Sequence, residues 1–208
     1  MRIVGGQLRG RPLAAPKSHV SKSQAIRPTS DRLRESLFNI LAHAYDDAAS
    51  GARVLDLFAG TGALGLEAMS RGAAFALFVD EGAEARALIR ENVALLGLGG
   101  STRIFRRDAT RLGDAHPVAP FTLAFLDPPY RQHLAEKSLA SLRAGAWLTE
   151  DALIVVEEAA DAGFKAPEGF DEVERRKYDD TEFIFLRLGA PTRQAAERLS
   201  DENAFSGV

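Results

Sequence analysis

The chain has 208 residues, 46% hydrophobic and 26% charged, with no cysteine and a formal net charge of −3. These values are those of an ordinary globular chain with enough apolar side chain for a sizeable core, and they exclude a disordered chain, a collagen and a coiled coil. The lack of cysteine removes disulfides, Cys-ligated metals and thiol nucleophiles. No apolar run reaches the ~20 residues of a membrane span, and the start MRIVGGQLRGR has no apolar signal core, so a soluble cytoplasmic protein is expected.

The charge is unevenly spread. Residues 1–34 hold eight basic side chains (Arg2, Arg9, Arg11, Lys17, Lys22, Arg27, Arg32 and Arg34) and one acid, Asp31. That segment is +7 and the remainder −10. Such asymmetry points to a nucleic-acid or membrane contact at one end, against the plainer reading of a solvated basic tail.

Residues 1–28 are rich in Gly, Arg, Lys, Ser and Pro and read as a loop or arm with a short strand at Arg2–Val4. Thr29, Ser30 or Asp31 caps a helix that carries Leu33, Leu37, Ile40 and Leu41 at helical spacing. From residue 53 strands and helices alternate. Strands are expected at 53–57, 75–79, 102–105, 121–126 and 153–157, and helices at 63–71, 83–96 and 134–143. This is the pattern of a parallel sheet covered on both faces. The segments 172–178 and 183–188, joined by Asp179-Asp180, read as a terminal antiparallel hairpin. Residues 189–208 are polar and carry at most a peripheral helix.

Gly60-Thr61-Gly62-Ala63-Leu64-Gly65 fits GxGxxG between a strand and a helix, and Asp80 lies 20 residues beyond Gly60 at the next strand end. By pattern alone this is a dinucleotide fingerprint, or a tight turn with no ligand. Glycines admit a ligand close to the backbone, and a helix N-terminus attracts negative charge. Asp56, just ahead of the loop, would repel a pyrophosphate and attract an ammonium. A loop with both an acid and backbone donors suits the zwitterionic end of S-adenosylmethionine, and an NAD-dependent oxidoreductase is the weaker alternative.

Asp127-Pro128-Pro129-Tyr130 follows the apolar run 121–126, at the carboxyl end of a strand, where open α/β sheets place their sites. Two prolines stiffen the turn. It can hold a carboxylate, a carbonyl and an aromatic ring as a bracket for an exocyclic base amine, whose lone pair is otherwise delocalised into the ring. Alternatively it ends a strand and Tyr130 packs on the surface. His133 reads as an exposed helix start, Trp147 as core or lid, and Glu157 and Glu158 as a solvated strand edge.

VLDLFAGTGALGLEA, the strand-end Asp80 and DPPY together resemble class I S-adenosylmethionine-dependent methyltransferases of base amino groups. Arg2-Ile3-Val4-Gly5-Gly6, Arg9-Gly10-Arg11, Arg27-Pro28-Thr29, Asp31-Arg32 and Arg34-Glu35 ahead of Leu37-Phe38-Asn39-Ile40-Leu41 are similar to the RsmD family of 16S rRNA guanine-N2 methyltransferases. The resemblance covers roughly residues 1–188. It implies a Rossmann-like α/β fold whose mostly parallel seven-stranded sheet ends in the antiparallel hairpin. It also implies a basic N-terminal RNA-binding arm and helix over 1–42, a methyltransferase domain over 43–188 and a polar tail over 189–208. S-adenosylmethionine would be held by Asp56, Phe58, Gly60, Thr61, Gly62, Asp80, Asp108 and Asp127. Asp127 and Pro128 would orient the amine, and Tyr130 would stack on the base. Arg9, Arg11, Arg27, Arg32 and Arg34 would grip phosphates on the face that carries DPPY. The partner would be 16S rRNA in the small subunit or its assembly intermediate, with no metal and no membrane, the enzyme acting as a monomer. A DNA adenine-N6 or cytosine-N4 methyltransferase and a non-catalytic RNA-binding assembly factor are the alternatives.

Overall fold

Apolar runs of four to six residues between glycine-stopped helices build the sheet. A computed structural model describes residues 1–16 and 30–189. Its strands are β1 (Arg53–Leu57), β2 (Phe75–Val79), β3 (Thr102–Phe105), β4 (Phe121–Leu126), β5 (Leu148–Ala159), β6 (Phe170–Tyr178) and β7 (Thr181–Leu188). Its helices are α1 (Asp31–Ala44), α2 (Ala63–Ser70), α3 (Ala83–Leu96) and α4 (Leu134–Ala144). The strand order is β3-β2-β1-β4-β5-β7-β6. The first five strands pair in parallel, and β7 is antiparallel to both β5 and β6.

Two apolar layers lie on the two faces of this sheet. One contains Leu37, Phe38, Leu66, Phe78 and Phe185; the other contains Leu55, Leu77, Leu139, Trp147 and Ile184. Strands buried on both faces explain why Leu123–Leu126 reads as a continuous hydrophobic run and why Val54–Leu57 is interrupted only by Asp56. Trp147 is fully buried, and its indole N–H donates to the Gly113 carbonyl at 2.7 Å. β5 begins five residues earlier than its apolar run suggests, with Leu148 opposite Phe121 across a register shift. Ser30 caps α1 by accepting from the Leu33 amide at 3.2 Å.

The first residues are a hairpin packed on the body rather than an extended arm. Ile3 donates to the Arg11 carbonyl and Leu13 to the Met1 carbonyl, and Arg2 bridges Pro12. The hairpin is fastened to α2 through Glu67, which is fully buried in a helix whose eight residues are all buried. The Glu67 carboxylate accepts from the Val4 amide at 2.9 Å, the Gly5 amide at 2.7 Å and Arg71 Nε at 2.9 Å, and faces Arg34 Nε at 3.8 Å. Ser70 completes the fastening, accepting from the Leu8 amide and donating to the Gly5 carbonyl. Among the described residues no helix is long and apolar enough to cross a membrane.

Candidate active site at the carboxyl ends of β1, β2, β4 and β5

The register of the sheet gathers the motifs. Leu57 pairs with Leu126 and with Val79, so the residues that follow, Phe58, Asp127 and Asp80, leave adjacent strands at one edge. Leu126 pairs with Val156, which puts Glu157 next to Asp127 on the other side. β7 is antiparallel to β5 with Ala159 opposite Thr181, so the β6–β7 turn reaches the same edge.

The glycine loop is a tight structure with several backbones in the left-handed region. Phe58 has φ +58°, Gly60 +55° and Gly62 +78°. For a residue with a large side chain such as Phe58 that conformation stores strain, a feature that clusters at functional sites. A Cβ on Gly62 would meet Phe78, Ile89 and Leu66 at 3.3–3.4 Å, so here the glycine answers to the protein's own packing as well as to its backbone angle. Gly65 permits close helix-to-strand approach: a Cβ there would lie 2.4 Å from the Phe78 ring.

Asp56 lies beneath this loop. It is buried, and one oxygen accepts from the Gly65 amide at 2.9 Å. Burial pushes its carboxyl up to about 8; the Gly65 bond opposes this and the nearby Asp80 charge adds to it. The charge expected at the loop's mouth is therefore muted at neutral pH. Asp80 is the more accessible acid. Its oxygens accept from the Gly60 amide at 2.9 Å and the Gly82 amide at 2.7 Å, tying the loop to the start of α3. Thr61 is buried, with its carbonyl accepting from Asn92 Nδ2 at 2.9 Å and its hydroxyl 3.7 Å from Met1 Sδ. Asn92 also exchanges hydrogen bonds with Ala14, so the hairpin and the glycine loop share one side chain. Asp108, beyond β3, caps a short 3-10 turn; the Thr110 hydroxyl and amide hold its carboxyl below the usual carboxylate range.

In DPPY, Asp127 is half-buried and Pro128 buried. The Tyr130 hydroxyl donates to Glu157 at 2.9 Å and lies 3.3 Å from the Thr181 hydroxyl. Burial first, then the Glu157 charge, pushes this phenol above its ordinary value, so it remains a protonated donor. Glu157 and Glu158 are both buried, which corrects the expectation of a solvated edge. Beside Tyr130 opens a cleft of about 630 Å³, lined by Arg32, Leu33 and Ser36 of α1, Glu157, and residues 177–181 of the β6–β7 turn. Lys177, which lines the same cleft as Arg32, is a residue that sequence reasoning missed; its place at the end of a hairpin strand is the available signal.

The five arginines do not share one face. Arg32 is exposed at the cleft. Arg34 is fully buried among Asp31, Glu67 and the Arg2 carbonyl and cannot reach a phosphate. Arg9 lies near the turn of the hairpin, and Arg11 donates to the Leu95 carbonyl at 2.9 Å. Leu95 and Ser70 close the helices α3 and α2, which run back from the carboxyl edge, so both arginines sit toward the opposite edge of the sheet. The physical reason is the Glu67 anchor, which pins the hairpin along α2. Arg27 lies outside the described residues.

A family described as Conserved hypothetical protein 95 matches residues 1–187. The Ribosomal RNA small subunit methyltransferase D of Escherichia coli (strain K12) is 40% identical over 163 residues, which is 78% of this chain and 77% of that protein. The chain belongs to the RsmD family. A protein of the same name from Haemophilus influenzae is 33% identical over 82% of this chain and 84% of its own. The solved structure of yhhF from Escherichia coli superposes with a TM-score of 0.74 at 34% identity, covering 91% of this chain and 98% of that one. SMU.776, solved in complex with SAH, shares the fold at 17% identity and a TM-score of 0.55, over 76% of this chain and 49% of that one. RsmD-family membership and these neighbours make the sheet a Rossmann-like methyltransferase sheet with an antiparallel C-terminal hairpin.

Proposed function

We propose that the protein transfers a methyl group from S-adenosylmethionine to the exocyclic N2 amine of a guanine in the 16S rRNA of the small ribosomal subunit. The observation that carries this reading is the register that sets DPPY directly beside the glycine loop, in a chain whose relatives are named for small-subunit rRNA. The residues fit the cofactor. An ionised carboxylate has roughly four acceptor sites; Asp80 uses two of them on Gly60 and Gly82, leaving capacity for a ribose diol. Asp80, Asp108 and Asp127 line the edge with acid, which suits a sulfonium and an ammonium and opposes a pyrophosphate. The cofactor supplies an electrophilic methyl group. The glycine loop, with Phe58, Thr61 and Asp56 beneath it, holds the methionine end, and Asp108 meets the adenine side.

The guanine amine has a lone pair delocalised into its ring. Asp127 and the Pro128 carbonyl accept its hydrogens, turning the lone pair toward the methyl carbon, and Tyr130 stacks on the base. The bound cofactor would supply the methyl group and leave as the neutral thioether, and the proton that the methylated nitrogen sheds would pass to the Asp127 carboxylate. Catalysis of this kind is dominated by positioning. The base must leave its stack to reach the cleft, where Arg32 and Lys177 meet the flanking phosphates. Such contacts position RNA and carry little sequence information.

The test is to incubate the protein with labelled S-adenosylmethionine and small subunits or 16S rRNA lacking the modification, then map the label. One guanine labelled at N2 is expected. The variant D127A should lose methyl transfer at least about a hundredfold, far more than it loses in S-adenosylhomocysteine affinity. Label on adenine N6 or cytosine N4, no label at all, or near-normal turnover by D127A would overturn the assignment.

A further inference from the structure

We infer that Glu157 and Glu158, adjacent at the carboxyl end of β5, are positioning residues that clamp the DPPY loop: Glu157 fixes the Tyr130 ring, and Glu158 fixes the backbone of Arg131. The inference rests on the proposed role of Tyr130 in stacking on the target base.

The two carboxylates end a strand whose preceding residues, Leu153–Val156, are buried and aliphatic. Both are almost completely withdrawn from water, at 4% and 2% exposure. Withdrawing a carboxylate is costly unless it is hydrogen-bonded, and each of these is bonded into the same loop. Successive side chains of a strand point to opposite faces, so the pair reaches the loop from two sides. Glu157 accepts from the Tyr130 hydroxyl at 2.9 Å, with Thr181 from β7 at 3.3 Å from the same oxygen. Glu158 accepts from the Arg131 amide at 3.1 Å and from its neighbour Ala159 at 2.8 Å. The Arg131 side chain in turn donates three bonds to Asp161, at 2.8, 2.9 and 3.2 Å.

The loop needs such restraint. Arg131 has φ +61° and His133 φ +52°, backbones that side-chain-bearing residues rarely adopt and that persist only when surrounding contacts enforce them. A tyrosine ring that stacks on a base must also keep its plane before the base arrives. A half-buried phenol anchored at its far end by a buried carboxylate has the direction of its ring axis set in advance, the preference of the phenolic O–H for the ring plane biases the ring's rotation, and the ring then forms one wall of the cleft.

The chain has three tyrosines, so ¹³C-labelled tyrosine gives a ring spectrum in which Tyr130 is assigned by its loss in Y130F. In E157A the Tyr130 ring signals should shift and broaden, and the KM for rRNA should rise about tenfold, the scale of one base-stacking contact, with S-adenosylhomocysteine affinity unchanged. E157Q, which keeps an acceptor oxygen, should recover most of that loss. In a Y130F background E157A should add nothing. In E158A the Arg131 amide should exchange its hydrogen at least tenfold faster. Unchanged Tyr130 signals in E157A, an effect fully additive with Y130F, or unaltered Arg131 protection in E158A would overturn the clamp. If wild-type protein methylates no rRNA but the E157A ring signals and the E158A exchange respond as stated, the proposed reaction fails and the clamp stands.

Discussion

Replacing Asp56 with asparagine tests how the glycine loop is supported. Burial holds this carboxyl at about 8 against an ordinary value of 3.8. The folded protein thus keeps a proton that the unfolded chain has lost over that window. The carboxyl's contribution to stability is complete below about pH 4 and is lost as the pH rises toward about 8. Each unit of difference is worth about 1.4 kcal/mol, so the loss reaches about 4 kcal/mol at pH 7 and about 6 kcal/mol above pH 8. Asparagine keeps an oxygen for the Gly65 amide, bonded at 2.9 Å in the wild type, and has no proton to lose. Urea unfolding of wild type and D56N from pH 5 to pH 9 should therefore show the difference moving in favour of the variant by several kcal/mol, then levelling. Other titrating groups are common to both proteins and cancel. A difference constant across pH 5 to 8 would refute the burial argument, whatever its absolute size.

Two further substitutions probe the frame around the site. E67A removes the acceptor shared by Val4, Gly5 and Arg71 and one of the two carboxylates that face the buried Arg34, so urea midpoints should report a loss of about 3–5 kcal/mol; a loss below about 1 kcal/mol would mean the hairpin is held by other contacts. G65A places a methyl 2.4 Å from the Phe78 ring and 3.0 Å from Asp56 Oδ2, so thermal unfolding should show about 1–3 kcal/mol of destabilisation from overpacking. An unchanged melting temperature would show that α2 can shift freely away from the sheet.

Much of the core was legible because its signals are local. An apolar run stopped by Asp or Gly marks β1, β2 and β4, and Gly97 and Gly145 stop α3 and α4 where expected. The carboxyl-edge site followed from the same alternation, since parallel strands bring their ends together. What the sequence hid was long-range. Val4 and Gly5 find Glu67 more than sixty positions away, and nothing in their own neighbourhood announces it. Arg34 counted as part of a basic arm because its charge was visible and its burial was not. One clue was present: Glu67 is the only charged residue in ALGLEAMS, an otherwise uncharged helix that presents no polar face to water. Glu157 and Glu158, after four aliphatic residues, carried the same clue.

The reversed direction of β7 gives the cleft two walls of unequal plasticity. A parallel last strand would have delivered its amino end to the far edge of the sheet; the antiparallel one brings Thr181 and the Asp179-Asp180 turn to the working edge. The wall formed by Tyr130 and Glu157 continues into DPPY and the glycine loop, which are interlocked through Asp56, Asp80 and the β5 carboxylates, so inserting a residue there would disturb several elements at once. The opposite wall is a hairpin tip. Hairpins tolerate changes of length and sequence at the tip while their strands stay in register. Variation in the shape of the accepted nucleic acid can therefore accumulate on one side of the cleft while the transfer machinery on the other side stays fixed.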